Sequence, residues 1–325
     1  MEGDVRVIEV ATFGGPEVLT VSEAPDPVPG PEEALVEVAA ADVLWVETMI
    51  RRGHGGPYFP VVPPYRPGVG VAGTVGAVGA GVDRAWVGRR VVARTDERGG
   101  YLERAVVPVD ALVAVPDRVS LTDAAALLHD GTTAYGLLDQ VPVHPGDRVL
   151  VTAAAGGLGA LLVQGARAAG AFVVAAAGSA AKRHALGRFA PDAVVDYTTP
   201  GWTERVRALT GGVHVVFDGA GGEYGRAAFD LLRAGGRFSA HGTPAGEFAT
   251  PDPAAATARR VTVTGIADLQ FAPEQARRHL RSALDAAAAG RITPLVGQTF
   301  PLDRAADAHR ALEQRTALGK ALLTV

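Results

Sequence analysis

The sequence predicts an α/β protein in two parts, a β-barrel-like domain followed by a doubly wound parallel sheet. Three observations carry that reading. Short β-branched runs separated by Gly and Pro fill the chain to about residue 120. Apolar strands alternating with helix-length segments follow, and a glycine-rich turn joins one of those strands to its helix.

In the first part the runs "RVIEVATF", "ALVEVAAADV", "GVAGTVGAVG", "GRRVVARTD" and "YLERAVVP" are punctuated by "PDPVPGPEE" and "PVVPPYRPG". Proline supplies no ladder donor and glycine relaxes the backbone, so these breaks mark turns between strands. From Leu121 the texture changes to "TDAAALLHDGTTAYGLL", "RVLVTAA", "LGALLVQGARAAG", "AFVVAAAG", "AKRHALGRFA", "AVVDY", "TERVRALT", "VHVVFDGAG", "YGRAAFDLLRAGG", "RFSAHG" and "RRVTVTGI". Strands apolar on both faces need helices on both faces, which is the parallel-sheet arrangement. Two amphipathic segments, "PEQARRHLRSALDAAAAG" and "DRAADAHRALEQR", and a last strand "GKALLTV" close the chain. The expected domains are 1–119 with 268–325 returning to it, and 120–267.

Composition narrows the function classes. The 325 residues carry a formal charge of −4, and 48% are hydrophobic. Lys and Arg are scattered rather than clustered, so no footprint for nucleic acid is visible. No apolar run is long and unbroken enough to span a membrane, and "MEGDVRVIEV" has no signal-peptide character. A cytoplasmic location is the expectation. With no cysteine, only His and carboxylates remain as metal ligands, and the eight histidines show no ligand spacing. No metal site is expected.

Ala154-x-Gly156-x-x-Gly159 occupies the frame of a dinucleotide-binding turn, directly after an apolar strand and opening a helix. Gly156 and Gly157 let backbone amides approach a diphosphate, the helix starting near Leu158 offers its positive end, and Gly159 permits close helix–strand packing. The following strand ends at Ala177, where an NAD-preferring unit carries an acid for the ribose hydroxyls. No carboxylate occurs between Ala154 and Pro191; Ser179, Lys182 and Arg183 stand there instead. A hydroxyl and two bases suit the 2′-phosphate of NADPH.

These motifs, with "FGGPEVL", "ETMIRRG" (residues 47–53), "PYRPGVGVAGTV" (residues 64–75), "VFDGAGG", "PLDRAADAHRAL" and "GKALLTV", resemble the zinc-free medium-chain dehydrogenases/reductases, closest to the quinone oxidoreductase branch. The resemblance implies a GroES-like catalytic domain, a Rossmann cofactor domain, NADPH, a homodimer, and hydride transfer to a quinone, enone or other activated carbonyl. By position it puts the diphosphate on Gly156, Gly157 and Leu158, and the 2′-phosphate on Ser179, Lys182 and Tyr197. The nicotinamide falls near Thr133, Gly242 and the turn Ile266 to Asp268; Arg183 is added on charge alone.

The departures from the family are informative. Its zinc-dependent members carry Gly-His-Glu where this chain has Gly68-Val69-Gly70. An Asn and a Tyr that commonly line the cleft align with Leu44 and Met49, which with Trp45 make the acceptor site apolar and favour a hydrophobic carbonyl substrate. Trp45 and Met49 serve equally well as core residues. His129 and Asp130 replace usually apolar residues; they bind substrate or donate a proton, or else serve a capping or packing role. An oxyanion is met by a backbone amide, solvent, Tyr58 or His129. The function read here is an NADPH-dependent reductase of a conjugated carbonyl compound. The alternatives are a biosynthetic enoyl or ketone reductase, or a non-catalytic NADPH-binding redox-sensing or structural protein.

Overall fold

The computed structural model describes residues 3–56, 59–95 and 99–325. The chain divides into two compact units, the first comprising Met1–His129, Leu284–Arg291 and Val296–Val325, the second Asp130–Ala283 and Ile292–Leu295.

The first unit is built on β1 (Asp4–Val10), β2 (Leu19–Pro25), β3 (Glu33–Val43), β4 (Gly70–Val78), β5 (Arg90–Arg94), β6 (Arg104–Pro108), β7 (Val113–Ala114), β14 (Val296–Pro301) and β15 (Lys320–Thr324). β1 and β2 form an antiparallel ribbon. The others make a seven-stranded sheet in the order β14-β15-β3-β4-β5-β7, with β6 also pairing β3. The pair β14·β15 is parallel, and β15 runs antiparallel to β3, Leu322 facing Asp42. Three strands, β2, β7 and β14, are not among the runs read from the sequence. Short helices α1 (Trp45–Arg51) and α9 (Ala305–Glu313) complete this unit, whose core gathers Val7, Ile8, Val36, Val71, Val91, Val107 and Leu323.

The helix α2 (Leu121–Gln140) begins where the Ser120 side chain accepts a hydrogen bond from Asp123 N at 2.9 Å. Such a cap satisfies an amide that has no helical partner.

The second unit holds a six-stranded sheet in the order β10-β9-β8-β11-β12-β13, made from β8 (Arg148–Thr152), β9 (Phe172–Ala176), β10 (Ala193–Val195), β11 (Val213–Asp218), β12 (Leu232–Ala240) and β13 (Thr262–Thr264). Every pair is parallel. The order reverses between β8 and β11, so their carboxyl ends flank the position where doubly wound sheets bind ligands. Connecting helices are α3 (Gly157–Ala168), α4 (Ala180–Leu186), α5 (Trp202–Thr210), α6 (Gly222–Phe229), α7 (Pro253–Ala258) and α8 (Pro273–Ala288).

Two details differ from the sequence reading. "LLRAGG" does not extend α6; β12 starts at Leu232, because the glycine pair lets the strand bulge, and its register with β11 shifts there. Most of α8 belongs to the second unit, where the Phe271 ring packs edge-on against His279 at 5.1 Å and lies over Gly136 of α2; only its last turn counts with the first unit.

Candidate functional site

In the second unit, β8 ends at Thr152 and the turn through Ala153, at φ 49, feeds α3. Gly156 caps α3 without any side chain, so the first amides of this helix face outward with no intrahelical acceptor. Gly159 is required sterically: a Cβ there would stand 2.6 Å from Ala153 O and 2.8 Å from Ala154 Cα, both backbone atoms. The Gly156 amide already donates to Ala153 O at 2.9 Å, so the amides of Gly157 and Leu158 are the ones left without a helical acceptor at the start of α3.

Across the switch point, Thr152 Oγ1 donates to Asp218 Oδ1 at 2.6 Å and itself accepts from Gly219 N and Ala220 N, both at 3.1 Å. Burial raises the Asp218 carboxyl, against the hydrogen bonds it accepts from Thr152, Gly221 N and Ala220 N. Gly242 folds back onto this loop so tightly that a side chain would overlap the Gly219 carbonyl. His241, also in the loop, is held neutral, its imidazole lowered to about 4 by burial despite a bond to Ser239. Motif reading missed this Thr152–Asp218 anchor, whose partners lie on different strands.

At the end of β9, Ser179 caps α4, its Oγ accepting from Lys182 N at 3.2 Å. Tyr197 lies beside this turn, within 3.8 Å of a Cβ built on Gly178, and its ring meets that of Tyr224 at 4.8 Å. Ser179, Lys182, Arg183 and Tyr197 are therefore brought together. The Arg183 guanidinium is committed to Asp196, with a second bond to Gly178 O at 2.9 Å. Asp196 lies beyond Pro191, outside the carboxylate-free stretch from Ala154, and returns to this turn through Arg183. Thr133 lies in α2, and Ile266 and Asp268 lie in a single turn where Asp268 accepts from Gly265 N at 2.8 Å.

The first unit carries buried polar chemistry. Asp42, fully buried near the end of β3, accepts from His129 Nδ1 at 2.6 Å and lies 3.5 Å from Lys320 Nζ. Next along the chain, Leu44, Trp45 and Met49 are half-buried on α1 and its cap, and none joins the main core of this unit. Glu47, on the same helix, is buried; it accepts from Tyr101 Oη at 2.5 Å and from Leu44 N at 3.2 Å. Burial pushes Glu47 up to about 7, with the Tyr101 hydrogen bond opposing and the Asp42 charge assisting. Tyr101 Oη also lies 3.1 Å from His309 Nε2, and burial, with Arg51 adding, lowers His309 to about 3. Arg51 is fully buried and pairs with Glu313. Tyr58 lies outside the described residues. Among the described residues, no three His, Asp or Glu gather as metal ligands, and no helix is long and apolar enough to cross a membrane.

Residues 30–117 match the alcohol dehydrogenase GroES-like domain, and residues 190–323 match the zinc-binding dehydrogenase model. The chain is 32% identical to a 2-haloacrylate reductase of a Burkholderia species, over 95% of this chain and 96% of that protein. It is 32% identical to the quinone oxidoreductase of Salmonella typhimurium, over 97% and 98%. The chain belongs to the quinone oxidoreductase branch of the medium-chain dehydrogenases/reductases. Like other members of that family it is an oxidoreductase with a GroES-like unit and a Rossmann unit. The Escherichia coli quinone oxidoreductase, solved with NADPH, superposes with a TM-score of 0.87 at 28% identity, covering 98% of this chain and all of that one.

Proposed function

We propose that this protein is a zinc-independent, NADPH-dependent reductase of conjugated carbonyl compounds, quinones or enones, and works as a homodimer. The observation that carries the reading is the paired binding surface of the second unit: uncapped amides at the start of α3, and Ser179, Lys182 and Tyr197 gathered at the turn after β9. Gly159 lets α3 pack closely on the turn at Ala153 and Ala154, and Gly242 lets its loop pack on Gly219, which fits the compact glycine turns such a cofactor needs. NADPH, when bound, supplies the hydride. The chain's own work is to hold the diphosphate on the α3 amides, to retain the 2′-phosphate on Ser179 and Lys182, and to orient and desolvate the acceptor. The names of the relatives support an acceptor with conjugated unsaturation, a quinone or an acrylate.

Zinc independence is supported by the donor set, with Gly68-Val69-Gly70 in the family's ligand positions and no cysteine. Leu44, Trp45 and Met49 are read as acceptor contacts, favouring hydrophobic carbonyl substrates. The experiment is NADPH oxidation against a panel of quinones, enones and acrylates, with zinc measured by elemental analysis and mass by light scattering. Turnover with hydrophobic members, zinc far below one per chain and a dimer mass are expected. NADPH binding without turnover of any acceptor overturns the reductase reading, and stoichiometric zinc overturns the metal-free one.

A further inference from the structure

Resting on the reductase reading above, we propose that His129, oriented by Asp42, is the residue that donates the proton to the acceptor. The geometry is that of an acid with a fixed far end. Asp42 Oδ2 takes the Nδ1 hydrogen of His129 at 2.6 Å, and Lys320 Nζ, itself 4% exposed, lies 3.5 Å from the same oxygen. Burial alone raises the Asp42 carboxyl, but the charges and hydrogen bonds of His129 and Lys320 outweigh it and hold it below its ordinary value. A carboxylate on Nδ1 fixes the tautomer, which directs any transferable proton to Nε2.

Nε2 is buried and has no hydrogen-bond partner among the described residues. A polar atom left so carries its full desolvation cost and calls for a ligand or a function. Trp45, three residues beyond Asp42, likewise leaves its indole Nε1 buried and unpaired. His279 and His309 also have an unpaired ring nitrogen, but neither donates its other nitrogen to a carboxylate. Room for the pair is made by Gly70, where a Cβ would stand 2.9 Å from Asp42 Oδ1 and 3.1 Å from His129 Cε1. The charged groups facing the pair are Lys320 from β15, and Glu47 from α1, on which the Asp42 charge acts.

The acceptor's conjugated double bond takes a hydride, NADPH being oxidised to NADP⁺, and becomes an enolate. The enolate takes the proton from Nε2 as that N–H bond breaks and a C–H or O–H bond forms. Neutral His129 keeps its Nδ1–H on Asp42, and water returns a proton to Nε2.

The test compares the unmutated protein with His129→Gln and Asp42→Asn, using an acceptor that the unmutated protein reduces. His129→Gln is expected to lower kcat about 100-fold or more, to leave the NADPH Kd unchanged by fluorescence titration, and to remove the fall of kcat on the alkaline side. Asp42→Asn, a positioning variant, should lower kcat less and move the His129 ¹⁵N signals away from the Nδ1–H tautomer. In the unmutated protein the Nε2 signal should shift when the saturated product is added. That ¹⁵N measurement decides the matter if His129→Gln does not fold: an Nε2–H tautomer, or no shift with product, overturns the proposal. A folded His129→Gln with unmutated kcat and pH profile overturns it and leaves the reductase reading standing. No NADPH oxidation by the unmutated protein overturns both.

Discussion

The two units present their chemistry in different materials. In the second unit the groups proposed to meet phosphate are amides at the start of α3 and residues of one turn after β9, placed by glycines and by the parallel sheet. In the first unit the working groups are buried side chains from distant strands and helices, Asp42 with His129 and Lys320, Glu47 with Tyr101 and His309, Arg51 with Glu313. A backbone site is tolerant of sequence and selects a ligand common to a whole family. A buried side-chain site is costly to keep and lost by one substitution.

The largest test of this contrast is Glu313→Ala. It strands the Arg51 guanidinium, which is fully buried and otherwise bonded to Gly14 O at 2.9 Å. Loss of about 3–5 kcal/mol is expected by urea denaturation, with NADPH affinity of any surviving folded protein unchanged.

The next effect is on pH. Burial raises Glu47 from an ordinary 4.5 to about 7 in the folded state. The folded protein therefore binds the extra proton between those values, and stability falls as pH rises through that window. Glu47→Gln removes the charge without removing the acceptor for Tyr101, so the descent, on the order of 3 kcal/mol, should flatten. His309 works in the opposite sense: lowered from 6.5 to about 3, it costs stability as pH falls below 6.5. An unchanged slope in Glu47→Gln between pH 5 and 7 would show that Glu47 is not the titrating group.

In the second unit Gly159→Ala forces a methyl against backbone at 2.6 Å. About 1–3 kcal/mol of stability should go, along with at least tenfold of NADPH affinity measured by calorimetry. The smallest effects separate two neighbouring cations. Lys182→Ala should weaken NADPH about tenfold and spare NADH. Arg183→Ala should cost only a fewfold, because that guanidinium already answers Asp196. Equal losses would mean that the ion pair opens for the cofactor.

The same contrast governs what could be read in advance. The turn at Gly156 to Gly159 and the Ser179–Lys182–Arg183 cluster are local, each written within a few residues of its strand, and hydrophobic periodicity gave the order of strands and helices around them. Asp42 and His129 stand 87 residues apart, with Lys320 further still. No spacing rule joins them, so His129 stood out only as an odd residue in a helix and Asp42 not at all. Asp196 was hidden for a smaller reason: it reaches back to Arg183 from beyond the next strand. β2 and β14 escaped because mixed polar and apolar residues along them give no continuous run, their pairing being supplied by a neighbour.

The pairing of β15 with β3 has a consequence for how the protein is made. Residues Ala40 to Val43 receive their partners from Ala321 to Thr324. A ribosome adding roughly 5–20 residues per second takes on the order of half a minute to travel that distance. Through that interval the nascent chain holds one edge of β3 open, with the Asp42 carboxylate lacking Lys320, and every strand of the parallel sheet is synthesised before β15 arrives. The Rossmann unit can therefore fold during translation, whereas the GroES-like unit closes only after β15 has emerged.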